Sequence, residues 1–174
     1  MASIAGIHGE THIENGALFH YGKKGFDFSL YDEEYNLKHL RNIFIGHPGR
    51  FSGTEELYGL TKRRTGYEEE DWKALIDSFG GSPGQNIPEE KNSMTVVGEL
   101  QFGNWALVKH DLLRLLNTSD EFPIDFYIYI AATGSLQRKL SDGIVNFDRA
   151  VTAIEENRRI IKTPMWVIGI DEVV

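Results

Sequence analysis

The chain has no cysteine. That excludes disulfides and thiolate metal sites, and it fits a reducing compartment, so the cytoplasm is the expected location. It has no apolar run long enough to span a bilayer, so no transmembrane helix and no membrane partner are expected. The N-terminus lacks a basic stretch leading into an apolar one, so no secretory signal is expected. Positive charge is also short. Eighteen Lys and Arg against 26 Asp and Glu give a net charge of −8. This balance speaks against a protein that coats nucleic acid by bulk charge, but it leaves room for a local basic surface. Internal repeats and low-complexity segments are absent as well. What remains, 174 residues with 41% hydrophobic and 25% charged content, is the composition of one ordinary globular domain over residues 1–174.

The most informative stretch runs from Met94 to Asn117. Residues 94–102 are rich in β-branched and apolar side chains and end in Gly103-Asn104, which predicts a strand. Side chains alternate faces along a strand. Val96, Gly98, Leu100 and Phe102 share one face, and Val97, Glu99 and Gln101 the other. Glu99 and Gln101 are then roughly 7 Å apart on one face. A carboxylate and an amide in a strand otherwise fit for a core contradict the local pattern, as functional sites often do.

The rest of the chain supplies the frame. Thr11 to Tyr21 alternates around Glu14-Asn15-Gly16, a hairpin signal. His8 and His12 lie near it and read as exposed polar residues, because the zinc-protease spacing is not met. Helices are expected over 31–45, 54–60 and 68–79, which makes residues 1–87 a mostly helical N-terminal part. Lys62-Arg63-Arg64 is the densest basic cluster, either a phosphate grip or a solvated helix end. After the Gly80 to Gly84 loop come the strand at 94–102, a helix over 105–117 buried through Trp105, Val108, Leu112 and Leu115, and a strand over 124–132. A short helix at 135–140, a helix over 146–161 and a strand over 165–170 complete the chain. The order β-α-β-α-β describes an α/β fold, a mixed central β-sheet flanked by helices.

Glu-x-Gln on a strand, preceded by an acidic cluster, is a way to hold Mg²⁺, which takes oxygen ligands and keeps several waters. The Leu100 carbonyl can add a ligand, and the ion activates water for in-line attack on a phosphodiester. The other reading of the same residues is structural, with a buried Glu99 paired to a base such as Lys109 or His110 and Gln101 as its polar neighbour.

Gly98-Glu99-Leu100-Gln101-Phe102-Gly103-Asn104 and the helix after it closely resemble the active-site strand of the BamHI, BglII and BstYI group of type II restriction endonucleases. These enzymes have a restriction-endonuclease-like PD-(D/E)XK core. BglII and BstYI carry Glu-x-Gln-Phe, with glutamine where most relatives have lysine. Asp142-Gly143-Ile144-Val145-Asn146-Phe147-Asp148 resembles Asp-Arg-Val-Thr-Asn-Phe-Glu of BamHI and Ser-Gly-Ile-Ser-Tyr-Tyr-Glu of BstYI. Pro164 to Asp171 resembles the last core strand. The likeness covers about residues 88–171, the expected nuclease core.

The resemblance implies roles. Glu99 is expected to bind Mg²⁺ with the Leu100 carbonyl, and Gln101 takes the place that is usually lysine. The upstream carboxylate is expected at Glu90, nine residues before Glu99, where BglII and BstYI have aspartate. Glutamate is longer by one CH₂, and Glu89 or Asp77 are the other candidates. Asn104, Lys109, His110, Asp142 and Gly143 are the expected DNA-facing residues. His110 sits where BamHI has a base-reading arginine, and Gly143 replaces the arginine of its Asp-Arg pair. Aspartate accepting from a cytosine amine and asparagine at base edges are sensible pairings. The implied activity is Mg²⁺-dependent hydrolysis of double-stranded DNA at a short palindromic site by a homodimer. The alternative is a catalytically impaired DNA-binding protein on the same fold.

Overall fold

A computed structural model describes residues 6–14, 16–19, 25–46, 74, 77–82 and 84–172. The expected helix at 54–60, the basic cluster at 62–64 and most of the helix at 68–79 lie outside these residues.

Six strands form one sheet in the order β2-β1-β3-β4-β5-β6. They are β1 (His8–Glu14), β2 (Ala17–Phe19), β3 (Phe26–Leu30), β4 (Val96–Gln101), β5 (Phe126–Ala132) and β6 (Met165–Ile170). The first four are joined antiparallel, and β4, β5 and β6 are parallel. The sheet is therefore mixed, as the alternation of apolar strands and amphipathic helices predicts. Among the described residues four α-helices accompany it: α1 (Glu33–Arg41), α2 (Leu107–Ser119), α3 (Gly134–Lys139) and α4 (Phe147–Asn157). A π-helical turn, Asn42–Gly46, extends α1.

The described residues before 88 contribute β1, β2 and β3, half the strands of the sheet, as well as α1. The Asn15-Gly16 signal does mark a hairpin, with Glu14 opposite Ala17 and Gly16 at φ +79°. The strands were hard to read because they are short and broken by polar residues such as Thr11, Asp27 and Ser29. Thr11 and Ser29 are both buried.

Helix ends follow local chemistry. Asp32 caps α1 by accepting from the Tyr35 N–H at 2.9 Å, with Glu33 and Glu34 in the first turn. Asn146 caps α4 by accepting from the Arg149 N–H at 3.0 Å. Asn104 accepts from the Ala106 N–H at 2.9 Å, so α2 starts two residues later than its apolar pattern suggests. Trp105 then falls outside the helix and is 51% exposed, rather than belonging to its buried stripe.

The core lies on the sheet face that carries Val97, Tyr127, Tyr129 and Ala131. Val108, Leu112 and Leu115 of α2 and Ala150 and Ile154 of α4 close it. Glu99 and Gln101 share this face by strand alternation, so the polar anomaly of β4 points under α2. Leu100, on the opposite face, is 45% exposed.

Gly98 fixes how closely β3 and β5 flank the site. A Cβ there would come within 2.2 Å of the Phe28 ring and 2.7 Å of the Ile128 carbonyl. Gly98→Ala is expected to lower stability by about 1–3 kcal/mol through overpacking. Urea denaturation checks this, and a midpoint unchanged from the parent protein refutes it.

Candidate active site

The site forms where β3, β4 and β5 pass beneath α2. Glu99 stands opposite Tyr129 of β5. On the other side, Asp27 of β3 falls opposite Glu99, one step beyond the Phe28–Gly98 pair. Asp27 accepts from the Leu100 N–H through Oδ2 at 2.7 Å, so its carboxylate is tied to the backbone beside Glu99. Its side chain also hydrogen-bonds Glu99.

From above, α2 contributes Asp111 and Arg114, three positions apart and therefore on one helix face. The Arg114 guanidinium bonds the Glu99 carboxylate through Nη1, and the same nitrogen donates to the Gly25 carbonyl at 2.8 Å. Its Nη2 lies 3.6 Å from Asp111 Oδ1 and 3.3 Å from His110 Nδ1. Arg114 also lies over the Phe26 ring at 5.7 Å. Asp111 in turn accepts from Gln101 Nε2 at 3.0 Å and from the Tyr129 hydroxyl at 3.3 Å. The Gln101 Oε1 accepts from the Gly103 N–H at 2.8 Å, so both ends of its amide are engaged. A single network thus joins three strands to the helix.

Its electrostatics are those of crowded, buried acids. Burial pushes the Glu99 carboxyl up to about 9. Arg114 opposes that rise, while Asp111 and Asp27 add to it. Burial also raises Asp111, against the hydrogen bond from Gln101 and the charge of Arg114. The Tyr129 hydroxyl is held far above its ordinary value by burial and by the Asp111 charge. The network therefore holds more protons near neutrality than its carboxylates would in water, which is the state an added cation would relieve.

The residues predicted from sequence fall into three groups. Glu99, Leu100 and Gln101 lie in the network just described. Glu90 is exposed in the segment before β4, and it is not among the groups that act on Glu99. Asn92, two residues on, donates its N–H to Asp32 at 2.8 Å, which holds that segment at the far end of β3 and β4. Glu89 pairs with His39 at 2.9 Å and accepts from Asn42. Asp77 is exposed. The third group is the DNA-facing set. Asn104 forms a β-bridge with Ile144, the Trp105 N–H donates to the Gly143 carbonyl at 3.0 Å, and the Val145 N–H donates to the Gly103 carbonyl at 2.9 Å. Asn104, Asp142 and Gly143 are thereby brought to one exposed ridge. His110 is exposed beside Arg114, and Lys109 lines a cleft of about 680 Å³ between α2 and α4 with Trp105, Arg149 and Glu156.

Four residues were missed: Asp27, Asp111, Arg114 and Arg149. Arg149 Nη1 donates to the carbonyls of Asp142 (2.7 Å) and Ile144 (3.2 Å), so it braces the ridge. The signal for Asp111 and Arg114 was present: two buried polar groups on β4 require partners, and α2 is the next element.

The donor set suits a hard dication. Asp27, Glu99 and the carbonyl of Leu100 are all oxygen donors around adjacent strand positions. Among the described residues no group of three His, Cys, Asp or Glu side chains could hold an ion alone. Magnesium does not need one, because it uses one or two carboxylates together with waters and substrate phosphate.

The mixed sheet with flanking helices is an α/β fold consistent with a restriction endonuclease domain. The family described as restriction endonuclease BglII/BglIII matches residues 49–170, and the chain belongs to that family. It is a type II site-specific deoxyribonuclease, a hydrolase that acts on DNA. Such enzymes typically use divalent metal ions. No curated protein matches the chain significantly. No described helix is long and apolar enough to cross a membrane.

The raised acids give a pH signature. Glu99 in the folded protein holds its proton up to about pH 9, whereas in the unfolded chain it loses it near 4.5. Between those values the folded state binds more protons, so stability falls as pH rises, by up to about 1.4 kcal/mol per pH unit for one proton. In divalent-free buffer, Tm is expected to fall from pH 5.5 to pH 8.5, and Glu99→Gln to flatten that decline. An equally steep decline in Glu99→Gln would assign the effect to other groups.

Proposed function

We propose that the protein cuts double-stranded DNA at a short palindromic site, as a homodimer, with Mg²⁺ as its cofactor. The observation that carries the reading is the pairing of Glu99 with Asp27 on neighbouring strands, inside a chain of this family.

Glu99, Asp27 and the Leu100 carbonyl hold the ion in this reading. Asp27 takes the part that Glu90 was expected to play. The support is positional. Asp27 touches the backbone of Leu100, while Val96 starts β4 three residues before Glu99, about 10 Å back along the strand, and Glu90 lies beyond it. When bound, Mg²⁺ supplies a water of lowered pKa and neutralises charge that develops on the phosphate. Asp111 holds the Gln101 amide and Gln101 holds the turn at Gly103, which fixes the exit of β4 into α2. Gln101 therefore acts as a positioning residue, with no free polar end to move a proton. Tyr129 caps the buried end of the network through its bond to Asp111.

Asn104, Asp142 and Gly143 face the DNA in this reading, with Lys109 and His110 on the same side as α2. The side chains of Asp142 and Asn104 supply an acceptor and a mixed donor–acceptor for base edges. Two such ridges, one from each protomer, match the two halves of a palindrome.

Cleavage of phage DNA in the presence of Mg²⁺ tests the assignment. Discrete fragments are expected from the parent protein and none from Glu99→Ala. Asp27→Asn is expected to reduce cleavage by at least about a hundredfold, and Gln101→Ala by about 10–100-fold through loss of positioning. Glu90→Gln should cut like the parent. Loss of cutting in Glu90→Gln with normal cutting in Asp27→Asn would reverse the assignment of the second carboxylate. Sedimentation of the DNA complex checks the dimer.

A further inference from the structure

The loop from Ser141 to Ile144 carries Asp142 and Gly143 and is thinly packed. Ser141, Asp142 and Gly143 are all exposed. A hollow of about 150 Å³ lies against the loop, lined by Gln137, Ser141, Asp142, Asn146 and Arg149 among others. A Cβ added at Gly143 would meet nothing within 4 Å. The shape of the loop therefore depends on its hydrogen bonds more than on side-chain packing.

Four carbonyls set its course, and each has a partner. That of Ser141 accepts from the Ile144 N–H at 3.0 Å, and that of Gly143 from the Trp105 N–H at 3.0 Å. The other two, of Asp142 and Ile144, both accept from Arg149 Nη1, at 2.7 and 3.2 Å. One guanidinium nitrogen thus bridges the carbonyls on either side of Gly143. Arg149 is itself held. Its N–H donates to Asn146 Oδ1 at 3.0 Å in the first turn of α4, and Asn146 bridges to Ala132 at the end of β5. The guanidinium therefore ties the loop to the sheet through α4. A charged donor also bonds a carbonyl more strongly than a neutral one does. The peptide planes around Gly143, and with them the direction in which the Asp142 side chain leaves the backbone, are set by Arg149. A base edge is read through hydrogen bonds, which weaken steeply with misalignment.

We propose that Arg149 is a specificity-determining positioning residue: by clamping the carbonyls of Asp142 and Ile144 it aims the Asp142 carboxylate at a base edge that it does not touch itself. This rests on Asp142 facing the DNA, as argued above. A residue that grips a phosphate lowers cleavage alike on every sequence. A residue that aims Asp142 lowers discrimination only at the base pair that Asp142 reads.

The test uses the full chain with Mg²⁺. The ends of the fragments cut by the parent protein define its site. The kcat/KM on that site is then compared with kcat/KM on duplexes that differ from it by one base pair. Asp142→Ala is expected to lose about tenfold or more of the preference at one base pair of each half-site. Arg149→Met is expected to lose it at the same base pair, by about the same factor, and to keep discrimination elsewhere. The double variant is expected to be no less selective than Asp142→Ala alone, because residues that act through one contact are not additive. An equal loss of cleavage on every duplex overturns the proposal. So does full discrimination in Arg149→Met, or a double variant in which the two losses multiply. Full discrimination in Asp142→Ala removes the reading of Asp142 as DNA-facing, whereas a relaxed Asp142→Ala beside an unchanged Arg149→Met removes the role of Arg149 alone. Amide exchange in the protein without DNA tests the clamp separately. The Ile144 and Val145 N–H groups, both hydrogen-bonded, are expected to exchange about tenfold faster in Arg149→Met, and unchanged exchange there overturns the clamp. Arg149→Gln serves in the same measurements if Arg149→Met does not fold.

Discussion

Burying a carboxylate under a helix is the constraint on which the rest of this molecule turns. Glu99 lies on the core face of β4, 5% exposed, among Val97, Tyr127 and Tyr129. A charge there is tolerated only with partners. Arg114 of α2 and Asp27 of β3 bond Glu99 directly, while Gln101 from the same strand and Tyr129 from the next bond its neighbour Asp111. The helix above is thereby fixed in rotation about its axis, since Asp111 and Arg114 must both face down. The apolar stripe of Val108, Leu112 and Leu115 then packs beside the polar contacts rather than opposite them.

The network also joins the two parts of the sheet. Strands β4 to β6 form a parallel unit, and β1 to β3 form an antiparallel one. The seam between them is the antiparallel pairing of β3 with β4, and the acidic centre lies on that seam. Carboxylates from both sides meet there, so the N-terminal strands are part of the site as well as its support. An ordinary family fold is given an active site by the placement of a few side chains on it.

Much of the C-terminal part was legible in the sequence. Strands β5 and β6 are near-continuous apolar runs, and α4 has a sequence-visible asparagine cap. The polar face of β4 was legible because Glu99 and Gln101 break its pattern. Their partners were not. Asp27 is 73 residues from the Leu100 N–H that it holds, and a β3 of five residues offers too short an alternation to place it. Arg114 lay off the apolar stripe of α2, and apolar periodicity carries no information on polar contacts across an interface. The expectation of Glu90 rests on spacing within a family, and the structure shows that residue exposed in the segment before β4. The reading of Glu99 as paired to a base did have a counterpart in the fold, with Arg114 in place of Lys109 or His110.

The zipper between residues 103–105 and 143–145 has a practical meaning for anyone who wishes to redesign this protein. Two backbone bonds and the Asn104–Ile144 bridge make the two segments one mechanical piece, and the Arg149 guanidinium clips its far edge. A loop transplanted from a relative at one segment alone would arrive without its mate and would be bent to fit the resident partner. The unit of exchange is the pair together with residue 149, moved as a cassette.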